Sequence, residues 1–146
     1  MAECPQINVG NQKMKYECSY NADQNIIESV THGLSNLNGL IDMLRSILDL
    51  CSKNATADII VDHSSLNAGP LTMKELSKII SHVANANDIL KARKCAHVVA
   101  SDLQFGLVRA WEIMVELAGV TDFDTMVFRN KTDAIKWIKT SSRPAH

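Results

Sequence analysis

Residues 57–76 predict a strand followed directly by a helix, and this junction constrains the fold more than any other part of the chain. Residues 59–61 are β-branched and too few for a helix, which is typical of a central strand with two apolar faces. Thr72 and Glu75 have the spacing of a capping box, so we expect a helix to begin after Thr72. A buried strand that leads into a capped helix indicates an α/β fold.

The segment between that strand and that helix is the predicted functional region. We expect Asp62 to end the strand and residues 62–72 to form a long polar loop, because Asn67 and Pro70 are turn residues. Loops at the carboxyl ends of parallel strands carry binding sites on a rigid scaffold. The candidate interaction or ligand residues are Asp62, Ser64, Ser65 and Thr72, together with Asp102 after the next strand.

Residues 14–31 have the pattern of an antiparallel hairpin at the edge of the sheet. Residues 14–20 alternate between apolar and polar side chains, as in a strand with one solvated face, and residues 25–31 supply its partner. His32 is expected to close this hairpin. Ser35 is expected to cap the first helix, whose apolar residues repeat at helical spacing.

Two more pairs of a strand and a helix follow the second helix. Residues 95–100 are apolar throughout and predict another central strand, while Ser101 and Gln104 predict a capping box for the next helix. Residues 123–128 predict the last strand, and Asn130 is the expected cap of a short final helix. The third helix is expected to bury Leu103, Leu107, Ala110, Trp111, Met114, Leu117 and Ala118.

These elements predict an α/β domain with a mixed, mainly parallel sheet of about five strands and four helices, and an antiparallel N-terminal edge hairpin. The domain is expected over residues 14–139, with residues 1–13 as a flexible N-terminal arm and residues 140–146 as a C-terminal tail. If most helices lie on one side, the central strands need another cover. Either the N-terminal arm or the second subunit of a homodimer is expected to supply it.

Composition excludes several classes of partner. Lys and Arg total 15 and Asp and Glu total 16, so we expect no nucleic-acid surface. No run approaches the roughly 18 apolar residues of a membrane span, and residues 1–13 lack a signal-peptide pattern, which favours the cytoplasm. Cys4, Cys18, Cys51 and Cys95 lack the spacing of a zinc site or a disulfide framework. We therefore expect free thiols, no metal and no cofactor.

No arrangement of residues in the sequence predicts an enzyme. Asp62, His63 and Ser65 are the residue types of a hydrolase triad, but neighbours on an extended segment point in alternate directions. Such residues cannot form the hydrogen-bonded relay that the triad requires. His97, in the middle of a predicted strand, is expected to be a core histidine rather than a ligand.

The charged residues near strand ends have both functional and structural interpretations. Asp62 and Asp102 both follow predicted interior strands, at the sheet edge where open α/β folds bind ligands. The alternatives are a loop brace for Asp62 and, for Asp102, a favourable charge at a helix start worth about 0.3–1 kcal/mol. Lys91, Arg93 and Lys94 are expected in and just after the last turn of the second helix, where positive charge complements the helix dipole.

The order of motifs resembles a known family. A strand that ends in Asp62 is followed by the strand KCAHVVAS, a helix with Gly106, Arg109 and Glu112, and the closing segment VFRNKTDAIKW. This succession resembles the STAS/SEC14-like, SpoIIAA-like family of small bacterial proteins, over roughly residues 14–139. The resemblance implies a small α/β domain built as a βα superhelix, in a family where many members have no assigned activity.

Relatives of this family suggest two different functions. Anti-sigma-factor antagonists of the STAS type are protein-binding switches, phosphorylated on a serine of an Asp-Ser-Ser-Gly-Leu motif at the helix after a central strand. Residues 62–66 look similar but sit at the strand end, so Thr72 is the hydroxyl at the matching place and the candidate phosphorylation site. SEC14-like carriers instead enclose a lipid.

We therefore expect a non-catalytic, cytosolic regulatory or protein-interaction module, with the junction of residues 62–72 as its contact surface. The alternative is a protein that binds a small apolar ligand or lipid, in the manner of SEC14-like carriers. A large apolar pocket would favour that alternative.

Overall fold

The computed structural model describes residues 13–67, 71–120 and 122–140. Apart from Lys13 and Thr140, the predicted N-terminal arm and C-terminal tail lie outside the described residues. The strands are β1 (Lys15–Asn21), β2 (Ile26–Leu34), β3 (Asp58–Asn67), β4 (Arg93–Val98) and β5 (Phe123–Phe128). The helices are α1 (Leu37–Lys53), α2 (Met73–Asn85), α3 (Asn87–Leu90), α4 (Asp102–Leu117) and α5 (Lys131–Lys139).

The five strands form one sheet in the order β1-β2-β3-β4-β5. β1 pairs antiparallel with β2, and each later strand pairs parallel with the one before it. This confirms the predicted mixed, mainly parallel sheet with an antiparallel edge hairpin. The described chain has five helices rather than the four expected, because the second helix ends at Asn85 and α3 is a separate single turn.

β3 is much longer than predicted. It continues past Asp62 to Asn67, so the predicted polar loop of residues 62–72 is wrong over its first half. β4 pairs with β3 only as far as Asp62, but β2 accompanies β3 to its end, with Leu34 opposite Asn67. The backbone of this polar segment is therefore satisfied by β2, which also continues beyond the expected end of the hairpin at His32. Residues 68–70 lie outside the described part of the chain.

The two faces of the sheet are covered unequally. α1, α2 and α4 pack on one face, where the larger apolar core includes Ile27, Ile59 and Cys95. On the other face α5 places Ala134 and Ile138 against a smaller set of strand residues, namely Ile26, Ile60, Ala96 and Val98. α5 thus supplies the second cover that the N-terminal arm or a second subunit was expected to provide.

Helix starts follow local capping chemistry. Asn36, not the predicted Ser35, caps α1 by accepting a hydrogen bond of 2.7 Å from the backbone N–H of Gly39. The capping box of α2 is confirmed, since Glu75 N–H donates to Thr72 Oγ1 at 3.1 Å and Thr72 N–H donates to Glu75 Oε1 at 2.9 Å.

Arg93 and Lys94 do not end the second helix as expected, because both are buried residues of β4. The Arg93 guanidinium donates to the carbonyls of Cys51 and Asn54 at the end of α1, at 2.9 and 3.0 Å. Lys94 Nζ donates to the Trp137 carbonyl of α5 at 3.0 Å. Arg93 therefore complements the carboxyl end of α1, with a further hydrogen bond of 2.8 Å from its Nε to the Ile89 carbonyl of α3, and Lys94 complements that of α5.

The prediction for α4 is partly right, because Leu107, Trp111 and Met114 pack against the core as expected. Leu103 and Leu117 were expected in the core, but their exposed fractions are 58% and 80%. The buried residues of α4 are Gln104, Glu112 and Val115. None of the described helices is long and apolar enough to cross a membrane.

Candidate functional site

A cavity of about 130 Å³ lies between the sheet and the helices α1, α2 and α4. Most of its wall is apolar, with Met43 from α1, Ile79 from α2, Val61 from β3 and Leu107 from α4. The polar side chains of the lining are those of Ser35, His63, His97, Gln104 and the indole of Trp111. The cavity is therefore an apolar space with a few polar groups in its wall, which is the usual composition of a small-molecule site.

His97 is the central polar residue of this wall. It lies on β4 between Val61 of β3 and Val127 of β5, and only 7% of it is exposed. Its Nε2 atom lies 3.9 Å from Cys95 Sγ, and its Nδ1 atom has no hydrogen-bond partner among the described residues. Burial, with a smaller effect of the nearby His63, lowers the pKa of His97 to about 3. The imidazole is therefore neutral at physiological pH.

His63 lies beside His97, but its ring already has a hydrogen-bond partner within the protein. The two rings are stacked with centroids 6.2 Å apart, and His63 Nδ1 lies 2.7 Å from Thr31 Oγ1. The Thr31 hydroxyl donates to the Asp62 carbonyl at 3.3 Å, so both contacts are satisfied together when Nδ1 of His63 carries the proton. Burial lowers the pKa of His63 to about 4, against a smaller opposing effect of Asp62.

Gln104 closes part of the wall with a complete set of hydrogen bonds. Its Oε1 atom accepts from Ala100 N–H at 2.7 Å, and its Nε2 atom donates to the carbonyls of His63 and Leu66 at 2.8 and 2.5 Å. The predicted capping box is therefore half right. Ser101 accepts from Gln104 N–H, but the Gln104 side chain ties α4 to β3 instead.

Ser35 is the second lining residue with an unpaired polar atom. It is 2% exposed, and its Oγ atom lacks a partner within the described ranges. A buried polar atom without a partner costs about 1–3 kcal/mol, and such atoms are few in native proteins. Ser35 and His97 both line the cavity, but the unpaired atoms Ser35 Oγ and His97 Nδ1 are themselves buried.

The predicted site residues lie outside this cavity. Asp62 Oδ1 accepts from the backbone N–H and the hydroxyl of Ser64 at 2.9 and 2.6 Å, which agrees with the bracing alternative. Ser65 is exposed. Asp102 binds Arg129 at 2.6 Å. Asp62 and Asp102 thus have different protein partners, and no hydrogen-bonded relay links Asp62, His63 and Ser65.

The hydroxyl of Thr72, the candidate phosphorylation site, is engaged on both sides. It accepts from Glu75 N–H and donates to Glu75 Oε1, both at 3.1 Å. A phosphate on this oxygen would lie beside the Glu75 carboxylate, so the geometry weighs against modification here.

Metal and thiol chemistry have little support at the described positions. No group of three or more His, Cys, Asp or Glu side chains is arranged to hold a metal ion in the described part of the chain. Cys18, Cys51 and Cys95 are free, and burial raises the pKa of all three, to about 11 for Cys18. These thiols are protonated at neutral pH and are weak nucleophiles.

Sequence comparison adds no assignment, since no protein-family model and no curated protein matches the chain. The structure is similar to the crystal structure of an uncharacterised DUF3478-family protein from Shewanella loihica PV-4, which is described as having a SpoIIAA-like fold. The TM-score is 0.58 and the identity 14%, over 86% of this chain and 93% of the other. The fold is SpoIIAA-like. The fold that the sequence resemblance implied is thus confirmed, and at this identity the likeness concerns the fold alone.

Within this SpoIIAA-like fold, the candidate residues that sequence reasoning selected and the residues that line the cavity are different sets. The candidates were chosen at strand ends, whereas the cavity lies over the middle of β3 and β4, under α2 and α4. His97 was noted and interpreted as a core histidine. Its position two residues after Cys95 and two before Val99 on a strand was a signal that all three side chains share the helix-covered face.

Proposed function

We propose that this SpoIIAA-like domain is a non-catalytic binding protein that holds a small, largely apolar molecule in the cavity beneath α2 and α4. The observation that carries the proposal is a cavity of about 130 Å³ with a mostly apolar wall and a few polar side chains. A small apolar ligand would occupy this space and bury its own surface against the wall.

The cavity volume limits the size of the ligand. An engineered apolar cavity of about 150 Å³ in another protein stays dry and binds benzene. The volume of about 130 Å³ therefore suits a molecule with a single ring or a short branched chain. It is too small for a long acyl chain, so the geometry favours a small apolar ligand over a SEC14-like lipid.

The chemistry of the wall supports binding without catalysis. His63 and His97 have lowered pKa values, which makes both weak bases. The one thiol in the lining, Cys95, has a raised pKa and is a poor nucleophile. Neither histidine is paired with a nucleophilic hydroxyl that faces the cavity, as far as the described residues extend.

A thermal-shift titration with toluene tests the proposal. Toluene should raise the Tm of the full chain in a saturable way, by roughly 5–10 °C at a hundred times its Kd. Val61→Phe, which places a ring into the cavity beside His97, should remove this shift, while Met126→Phe on the exposed surface of β5 should keep it. A Tm that does not respond to toluene in the wild type would contradict the proposal.

A second function, self-association, is favoured by the outer surface of α4. Leu103, Gly106, Ala110, Ile113 and Leu117 repeat at intervals of three and four, and we call this set the α4 outer stripe. Leu103, Ile113 and Leu117 are exposed, and a Cβ atom added at Gly106 would meet nothing within 4 Å. An apolar stripe of this kind marks an interaction surface.

The order of residue sizes in the α4 outer stripe suits a second copy of the same chain. Bulky residues lie at both ends and small ones at the centre, so two antiparallel α4 helices can approach closely at Gly106 and Ala110 around a two-fold axis. Light scattering at micromolar and higher concentrations should give a dimer mass that Ile113→Glu lowers to a monomer. Met126→Glu, with the same change at another exposed apolar residue, should remain dimeric. A monomer mass for the wild type throughout would exclude this function.

A further inference from the structure

The wall of the cavity carries no charge at neutral pH over the described residues. None of its lining residues there is Lys, Arg, Asp or Glu, and α1 and α2 contribute apolar side chains only. The titratable side chains of the lining are those of His63, Cys95 and His97. Burial lowers the pKa of His63 to about 4 and that of His97 to about 3, and it raises the pKa of the Cys95 thiol. All three groups are therefore neutral between pH 5 and pH 8.

The charged groups that act on this wall lie behind it and have partners of their own. They are three carboxylates, namely Asp58, Asp62 and Glu112. Glu112 is bound by Arg109 at 2.7 Å, and Asp58 and Asp62 accept backbone N–H groups at 2.8 and 2.9 Å. None of the three lines the cavity. A charged ligand would therefore meet no counter-ion in the wall.

An ion inside the cavity would lose its hydration without a replacement. The lining includes Trp111, whose indole can attract a cation, but this gain is smaller than the cost of burying an unpaired ion. An anion would also be repelled by the carboxylates behind the wall. A cation is thus the ion that the cavity excludes less strongly, and an uncharged molecule carries neither penalty.

We propose that the cavity accepts only uncharged ring compounds, so that a weakly basic or weakly acidic ligand binds in its neutral form alone. This inference rests on the proposed function and adds the chemical class of the ligand. Because the wall keeps the same charge between pH 5 and pH 8, any pH dependence of binding in this range comes from ionisation of the ligand and not of the protein.

Three probes of nearly one shape form a matched set for the test. Toluene is always neutral, 4-methylpyridine is a neutral base that becomes a cation in mild acid, and 1-methylpyridinium carries a fixed positive charge. Calorimetry on the full wild-type chain at pH 8 should show binding of the first two. The Kd for 1-methylpyridinium should be at least about a hundredfold above that for toluene, as expected for an ion buried without a partner.

A pH titration of the same probes adds a second measurement on the wild-type protein. The Kd for 4-methylpyridine should rise by about tenfold for each pH unit below the pKa of this ligand, because only its neutral fraction can bind. The Kd for toluene should stay constant down to pH 5, which also shows that the site remains folded.

Two variants assign the binding to the cavity. Val61→Phe, which fills the cavity, should abolish binding of toluene and 4-methylpyridine, while Met126→Phe on the exposed surface of β5 should retain both. The comparison among the three probes needs neither variant, so it remains decisive if Val61→Phe does not fold.

Failure of this inference differs from failure of the proposed function. A Kd for 1-methylpyridinium less than about a hundredfold above that for toluene would overturn the restriction to uncharged ligands while leaving a binding site. A Kd for 4-methylpyridine that does not change with pH would overturn it too, as would toluene binding without 4-methylpyridine binding at pH 8. Absence of toluene binding would remove the site itself and this inference with it.

Discussion

The indole of Trp111 packs edge-on against the imidazole of His97, with centroids 4.9 Å apart and ring planes inclined by 68°. An edge-to-face contact of this kind contributes about 0.5–1.5 kcal/mol beyond the burial of area. Trp111 belongs to α4 and His97 to β4, so the position of the imidazole depends on how α4 packs on the sheet. The cavity is therefore formed by the packing of helices on the sheet rather than by a single loop.

Stability should fall with acidification because His97 is held neutral. Its pKa is about 3 in the folded chain against an ordinary value of 6.5, so the unfolded chain binds more protons between these values. The stabilisation is fully present above pH 6.5 and is lost as the pH falls from 6.5 toward 3. At pH 5 the loss from His97 is about 2 kcal/mol, measurable by urea unfolding.

His97→Phe is the control for this pH dependence, since His63 and the carboxylates titrate in both proteins. The variant should lose less stability than the wild type between pH 7.5 and pH 5. Equal losses in the two proteins would show that His97 is not held neutral by burial.

Arg93→Met should destabilise the fold strongly, by about 3 kcal/mol. The guanidinium donates to the carbonyls of Cys51, Asn54 and Ala57, and a hydrogen bond to a charged group contributes about 1.5–3 kcal/mol. Arg93→Lys should recover only part of the loss, because one ammonium group cannot reproduce the fork of the guanidinium. Arg45→Met on the exposed surface of α1 is the matched control and should change little. An Arg93→Met protein as stable as the wild type would disprove this role.

Thr72 should contribute to stability through the capping box of α2. Thr72→Ala should cost about 1 kcal/mol and Thr72→Ser little, because serine retains the hydroxyl that contacts Glu75. Thr72→Asp should melt below Thr72→Ser, since it places a carboxylate against that of Glu75. If all capping residues were equivalent, Thr72→Asp and Thr72→Ser would have the same stability. Urea denaturation of the three variants measures their free energies of unfolding and tests the predicted order.

Cys18, Cys51 and Cys95 should resist thiol reagents at pH 7.5 in the folded protein. Burial raises the pKa of each, so the thiolate fraction is very small. A Cys4→Ser background isolates these three residues, and all of them should react on addition of denaturant. Rapid labelling of Cys95 under native conditions would contradict the buried position that the cavity wall requires.

The parts of the fold that sequence predicts well are those set by local chemistry. β5 has the predicted bounds, and Thr72, Ser101 and Asn130 cap the helices they were expected to cap, because a short polar side chain meets orphan N–H groups within three residues. The alternation of strands and helices likewise predicts the sheet, since parallel neighbours need crossover helices.

The errors come from interactions between distant residues. The polar segment after Asp62 has no strand pattern, and only its pairing with β2 makes it part of β3. α4 has apolar residues on most of its surface, so periodicity did not show that Gln104 rather than Leu103 faces the sheet. Packing of the helices on the sheet decides whether a cavity remains, and this cannot be inferred from spacing along the chain.

A methyl NMR titration with toluene tests the central claim most directly. Saturable shifts should be confined to methyl groups that line the cavity, such as those of Val61, Ile79 and Leu107, while Leu103 and Ile113 of the α4 outer stripe remain unchanged. Shifts that are absent from the cavity residues at toluene saturation, or that occur only on the α4 outer stripe, would contradict the account of a ligand-binding cavity.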